Sequence, residues 1–221
     1  MKFSIASKIS QKEKSYKGIK QAIISYEIKP GEPLIEKQIA DKLGVSRTPV
    51  REALKELKSE GLVKIIPRKG AFVAEISSRD IEEIFLLREI LECTAVKMAI
   101  SRIKEEDLIE IESTFNSIND DIKGKNYKNI LYADIKFHNF IVNSSGNRRL
   151  CQFLGMLNEQ IYRLRKLSAT VPSRLSSSLK EHEGILEALK KRDKDLAEQR
   201  LRQHIRNVKD KILDILQQHS F

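Results

Sequence analysis

Asp134 and His138 stand four residues apart in LYADIKFHNFIV. At about 100° per residue their side chains leave a helix only about 40° apart. They share that face with Ile130, Leu131, Phe137 and Ile141, so a carboxylate and an imidazole point toward a core. His182 falls within the apolar stripe of Leu175, Leu179, Ile185, Leu186 and Leu189, and His204 lies at the margin of the stripe of Ala197, Leu201, Val208 and Ile215. A single inward histidine is more often a hydrogen-bonded core residue than a ligand. Three of them from separate helices, beside one carboxylate, also suit a divalent metal such as Zn, Ni, Fe or Mn with coordination positions left open for water or a ligand. The fourth histidine, His219, sits in the C-terminal tail and reads as solvated.

Arg88 is a second charge in an apolar place. Ile81, Ile84, Phe85, Leu91, Ala95 and Ala99 make one helical stripe, with Arg88 at its centre and Glu92 one turn later. One reading is a buried Arg88–Glu92 ion pair. The other is an effector-binding arginine, because a guanidinium fork matches a carboxylate bidentately while a nearby metal holds the other end of a small acid.

The helices that carry these residues begin after Glu75 to Asp80, where Ser77 or Ser78 can cap a helix and Asp80, Glu82 and Glu83 favour its first turn. Helical periodicity then predicts helices at about 79–101, 105–122, 126–144, 147–168, 174–191 and 194–217, with breaks at Gly124, Gly146, Pro172 and Asp193. The expected architecture is mainly α: an N-terminal winged helix-turn-helix over 1–76 and an antiparallel bundle of about six helices over 77–221, the latter binding ligand and metal and dimerising.

The N-terminal expectation rests on PLIEKQIADKLGVSRTPVREALKELKSEGLVKIIPRKGAFV, from Pro33 to Val73. Ile39, Ala40 and Leu43 face one way along a short helix that Gly44 can stop with a positive φ. Val45 packs the turn. Pro49 suits a first helical turn, and Val50, Ala53, Leu54 and Leu57 follow at helical spacing up to Gly61. Ser46, Arg47, Thr48 and Arg51 remain polar where a recognition helix meets base edges, at which an Arg can bond two guanine acceptors. LVKII and AFVAEI around Pro67-Arg68-Lys69-Gly70 form a hairpin with a basic tip, suited to phosphate or minor-groove contact.

Charge supports that assignment. Residues 1–75 carry 16 Lys and Arg against 9 Asp and Glu, whereas the other 146 residues carry 25 against 22. The basic excess therefore sits on the segment that would face phosphates. No apolar stretch approaches the roughly 18–20 residues that span a bilayer, and the N-terminus lacks a signal-peptide pattern, so a cytoplasmic protein is expected. Cys93 and Cys151 lie far apart within helical patterns and read as buried reduced thiols.

Together these residues resemble the GntR superfamily of bacterial transcription regulators, in its FadR-like branch with an FCD effector-binding domain. The resemblance is carried by LIEKQIADKLGVSRTPVREALKELKSEGLV with PRKGAFV, and by LREILE, DIKFHNFIVNSSGN, EHEGILEALKKRD and RLRQHI. It implies a homodimer on a palindromic DNA operator and a helical domain that binds a small metabolite, often a carboxylate. It implies Ser46, Arg47, Thr48 and Arg51 at the operator, Lys69 and Gly70 at the wing tip, and Asp134, His138, His182 and His204 around a divalent metal ion. Lys37 aligns with a position that is often Arg in the family, which implies a phosphate contact. The acyl-CoA-responsive member for which the branch is named lacks the metal tetrad, so a small organic acid is the implied effector.

The reading is a ligand-responsive DNA-binding transcription regulator and not an enzyme. One competitor is a DNA-binding protein in which the metal only staples the bundle. Another is a metalloenzyme with a DNA-binding appendage, against which stands the lack of an inward base: Glu181 and Glu183 are each about 100° around the helix from His182.

Overall fold

The computed structural model describes residues 10–118, 127–168 and 171–218. The chain divides into two compact units, Met1–Ile76 and Ser77–Phe221.

Unit 1 opens with α1, Gln11–Ile24, whose first turn is held by Ser10 accepting the Glu13 N–H at 3.0 Å. This helix precedes the segment that the sequence pattern marks, and it closes that segment's core by burying Ile19 and Ile23. The chain continues through β1 (Pro33–Leu34), α2 (Glu36–Leu43), α3 (Arg47–Ser59), β2 (Val63–Ile66) and β3 (Gly70–Val73). Gly44 follows α2 at φ +64, a conformation that glycine adopts without a Cβ clash, and its N–H caps the helix. The three strands pair antiparallel in the order β1-β3-β2, with Val63 opposite Val73. Ala40, Val50, Ala53, Leu54, Leu57, Leu62, Val63 and Val73 fill one core with Ile19, Ile23 and Leu34. Truncating Leu57 to Ala there would cost about 2–5 kcal/mol.

Unit 2 contains, among the described residues, six helices: α4 (Ser78–Ala99), α5 (Glu105–Ser117), α6 (Tyr127–Ser144), α7 (Arg148–Ser168), α8 (Pro172–Lys190) and α9 (Lys194–Gln218). Ser77 starts α4 with a reciprocal cap: its Oγ accepts the Asp80 N–H at 3.1 Å, and Asp80 Oδ2 accepts the Ser77 N–H at 2.8 Å. Pro172, read as a break, opens α8, where a missing N–H costs nothing. Gly146 takes φ +65 between α6 and α7. Gly124 and His219 lie outside the described residues.

α4 is the central element, packing on α9, α6 and α7, while α8 packs on α9 and α5. Cys93 is buried on α4, and burial pushes its thiol up to about 12. Cys151 is only half-buried, because the chain leaves that flank of α7 partly open, so the expectation of two buried thiols holds for one of them. No described helix is long and apolar enough to cross a membrane.

Candidate metal site and nucleic-acid interface

In unit 1 the polar residues at the start of α3 are exposed: Ser46, Arg47, Thr48 and Arg51. Ser46 occupies the N-cap position, yet its side chain makes no capping hydrogen bond. One of its two usual donors, the N–H at the third helical position, is missing at Pro49. Its hydroxyl is thereby left for another acceptor or donor. Arg51 is engaged: its Nε and Nη2 donate to the Glu36 carboxylate at 3.0 and 2.8 Å, and that pairing holds the Glu36 carboxyl below the usual range. Lys37 is exposed on α2, as are Lys69 and Gly70 at the tip of the β2–β3 hairpin. Arg68 in the same tip holds φ +63 and Gly70 φ +103. A left-handed arginine costs roughly 1–2 kcal/mol, which the turn must offset.

In unit 2, α6 supplies Asp134 and His138, α8 supplies His182 and α9 supplies His204, and one ligand atom from each lies within 4.8 Å of all the others. The Nε2 of His204 is 3.2 Å from both His138 Nε2 and His182 Nε2. Asp134 Oδ1 lies 3.5 Å from His182 Nε2 and 3.8 Å from His138 Nε2. Metal–ligand bonds of about 2.0–2.2 Å put neighbouring ligand atoms about 3.0–3.5 Å apart, so the cluster has nearly the span of a coordination shell. All three imidazoles are buried, His204 fully so, deeper than the stripe margin the sequence suggests. Phe115 stacks on His182 at 5.9 Å between ring centroids and Phe137 packs on it at 4.9 Å, fixing that ring's orientation.

The outer face of two imidazoles is tied to carboxylates. His138 Nδ1 lies 2.6 Å from Glu92 Oε2, and His204 Nδ1 lies 2.7 Å from Glu181 Oε2. A carboxylate acceptor places the proton on Nδ1 and turns the Nε2 lone pair inward. The two Nε2 atoms then stand 3.2 Å apart with Arg88 Nη2 3.0 Å from that of His138, and a cation between the rings would draw on both lone pairs. Burial lowers the affinity of all three histidines for protons, helped by Arg165 and Arg88 at His138, by His204 at His182 and by Arg88 at His204. Neutral imidazole is the form that ligates a metal. Burial would raise the Asp134 carboxyl, but the permanent charges of Arg165 and Arg88 oppose it, and the group is held well below the usual range.

Arg88 makes the buried ion pair with Glu92 and keeps one nitrogen unbonded. Its Nε donates to Glu92 Oε1 at 2.7 Å, its Nη2 lies 3.0 Å from His138 Nε2, and its Nη1 is buried with no hydrogen bond. Sequence reasoning missed Arg165 and Arg174, which with Arg88, Asp134 and His182 line a cavity of about 40 Å³. Neither lies on a motif; the apolar neighbours of α7 and α8 were the only available signal. It also misjudged Glu181. That carboxylate stands about 100° from His182 on α8, but it faces α9, where it accepts from His204 and from Asn207 at 2.8 Å, and it also accepts from Arg174 of its own helix at 2.9 and 2.6 Å. Burial would raise Glu181, but these donors bring its carboxyl down to about 2.

Residues 11–73 match the family described as bacterial regulatory proteins, gntR family, and residues 83–207 match the FCD domain. The chain belongs to this GntR/FCD family of bacterial regulators. The uncharacterized HTH-type transcriptional regulator YdhC of Bacillus subtilis is 33% identical to it over 92% of this chain and 91% of that one. The HTH-type transcriptional repressor RspR of Escherichia coli is 29% identical over 93% of this chain and 90% of that one. Among solved structures, E. coli McbR/YncC superposes with a TM-score of 0.74 at 26% identity, covering 96% of this chain and all of that one. This GntR-family protein is therefore a DNA-binding transcription regulator with an all-helical FCD domain, and its relatives are named for regulation rather than catalysis.

Proposed function

We propose that this regulator holds a divalent metal at Asp134, His138, His182 and His204, and that a small organic acid bound beside it, with Arg88, alters operator affinity. The observation that carries the reading is the pair of carboxylate-anchored imidazoles whose Nε2 atoms face each other at 3.2 Å. A bound metal supplies a fixed positive charge and open positions for an acid's oxygens. The chain's own residues do the rest: Glu92 and Glu181 orient the rings, Phe115 and Phe137 wall off His182, and the unbonded Nη1 of Arg88 offers N–H donors to a carboxylate. The adjoining cavity favours a responsive site over a staple, since structural metal sites are closed.

The output is the winged helix acting in the cytoplasm, with Arg47 and Arg51 reading bases, Ser46, Thr48, Lys37, Lys69 and Gly70 positioning it, and a palindromic operator bound by two copies. An exposed apolar face supports the homodimer: Leu86, Leu87 and Ile90 on α4, and Phe153 and Met156 on the adjacent α7. Exposed Glu82 and Glu83 on α4 and Arg148 and Arg149 on α7 give the face both signs, as a two-fold contact between identical surfaces needs. Because α4 carries Arg88 and Glu92 on its buried side and this face on the other, a shift at the site moves both.

Operator binding of the metal-loaded chain, titrated with candidate acids and separately with a chelator, tests the reading. A change in affinity with at least one acid supports it. A response to chelation alone, with none to any acid, returns the metal to a structural role.

A further inference from the structure

The second layer of the site has a charge balance that constrains what can enter. Three arginines line the cavity, each largely buried: Arg88, Arg165 and Arg174. Each already faces one carboxylate. Arg88 Nε donates to Glu92 at 2.7 Å, Arg165 Nε lies 3.2 Å from Asp134 Oδ2, and Arg174 is bidentate on Glu181 at 2.9 and 2.6 Å. Three cations and three anions cancel, and an imidazole that ligates a metal through one nitrogen adds no charge. The side chains by themselves thus carry no net charge, and Asp134, the only anionic ligand among the four, is already balanced by Arg165.

A divalent metal adds two positive charges to this buried, balanced set, and uncompensated buried charge is strongly unfavourable. A monocarboxylate offsets one of them. Donors for a second anionic group are also present, since Arg88 Nη1, Arg165 Nε and Arg174 Nε are buried without hydrogen bonds, and Arg165 Nε already faces Asp134. The space is small, about 40 Å³, which favours a short acid over a long one.

We propose that the effector is a small dianionic oxyacid, foremost a short dicarboxylate, with one anionic group at the metal and the other on the free N–H groups of Arg88 and Arg174. The proposal rests on the metal-and-acid reading of the site and narrows its ligand class. Arg165 serves as the counter-charge that keeps Asp134 ionised, leaving Arg174 as the determinant of a second anionic group.

The full-length chain, loaded with one equivalent of Zn²⁺, is titrated by calorimetry with acetate, malonate and inorganic phosphate at pH 7.5. Malonate or phosphate should bind at least tenfold more tightly than acetate. Arg174→Gln should shrink that preference to threefold or less when affinities are compared per zinc bound, as counted by elemental analysis. Tighter phosphate than malonate assigns the dianion as a phosphate, and the reverse order as a dicarboxylate. Equal affinity for acetate and malonate in the unaltered chain overturns the dianion while leaving the small-acid reading intact. A preference for malonate that survives Arg174→Gln also overturns it, since chelation by the metal alone then accounts for the difference. Zinc uptake with no response to any of the three ions overturns the small-acid reading itself.

Discussion

The residues proposed to meet DNA and the residues proposed to hold a metal are built on opposite plans. Ser46, Arg47, Thr48 and Arg51 lie within two turns at the start of one helix, all exposed, and their partner on α2, Glu36, is equally local. Asp134, His138, His182 and His204 come from three helices, their anchors Glu92 and Glu181 from α4 and α8, and the imidazoles are out of contact with solvent. The first surface must remain wet and adjustable, because its ligand is a polyanion with its own hydration and counterions. The second must be pre-shaped and dry, because a few ångströms decide whether four donors meet one ion and because buried charge interacts strongly. A substitution among these exposed residues of unit 1 should therefore change affinity and selectivity and leave the fold intact. One in unit 2 should change stability and ligand content together.

The largest expected effect is at His138. With metal at a thousand times its Kd, binding stabilises the folded chain by about 4 kcal/mol, and His138→Ala should lose that whole increment along with the metal. Thermal melts with and without metal, paired with elemental analysis, check this; full occupancy in the variant would remove His138 from the ligand set.

Acidification comes next and should act first on unit 2. The folded-state proton affinities of His138, His182 and His204 lie below the ordinary value of 6.5, so below that pH the unfolded chain takes up protons that the folded unit does not. Stability without metal should be complete above about pH 6.5 and fall as the pH drops, with Glu181 extending the same slope from its usual 4.5 toward about 2. Calorimetric melts of chelated protein from about pH 6.5 to about pH 5, above the carboxylate range, should show the transition of unit 2 moving and that of unit 1 staying. A flat profile for unit 2 would mean that its imidazoles are charged or exposed in solution.

Glu181→Gln keeps the shape but weakens the hold on His204 Nδ1, and the expected cost is about 10–100-fold in metal affinity, read by competition with a chromogenic chelator. Affinity equal to the unaltered chain would make Glu181 a partner of Arg174 only.

On the DNA side, Arg47→Ala should remove about ten- to a hundredfold of operator discrimination while weaker, salt-sensitive binding persists and metal content is unchanged. Undiminished sequence preference would take Arg47 off the bases. The smallest effect is expected for Glu36→Gln. It releases the exposed Arg51 fork, should leave the melting temperature unchanged, and should strengthen operator binding modestly in fluorescence anisotropy. Weaker binding would show instead that Glu36 holds Arg51 in its reading position.

Much of this contrast was legible before folding. The segment from Pro33 to Val73 announces two helices and a hairpin because capping, turn and periodicity signals act between near neighbours: Gly44 stops α2, Pro49 opens α3, and Gly70 closes the wing turn. The same short-range logic put Asp134 and His138 on one face and turned His182 and Arg88 inward. α1 carried a weaker signal, since its charged residues alternate with few apolar ones, and only its burial against α3 marks it as part of the core.

Local pattern thus determined which side chains face inward, and therefore which could be ligands and which could read DNA. Folding alone decided their company: that Glu92 anchors His138 and Glu181 anchors His204, that Arg165 and Arg174 enter the same cavity as Arg88, and that Arg51 rests on Glu36. The physical reason is range. Helical angle settles the direction of a residue from its neighbours three and four positions away, but distances between helices depend on how whole apolar faces interlock, and a charge or hydrogen bond is settled only at that distance.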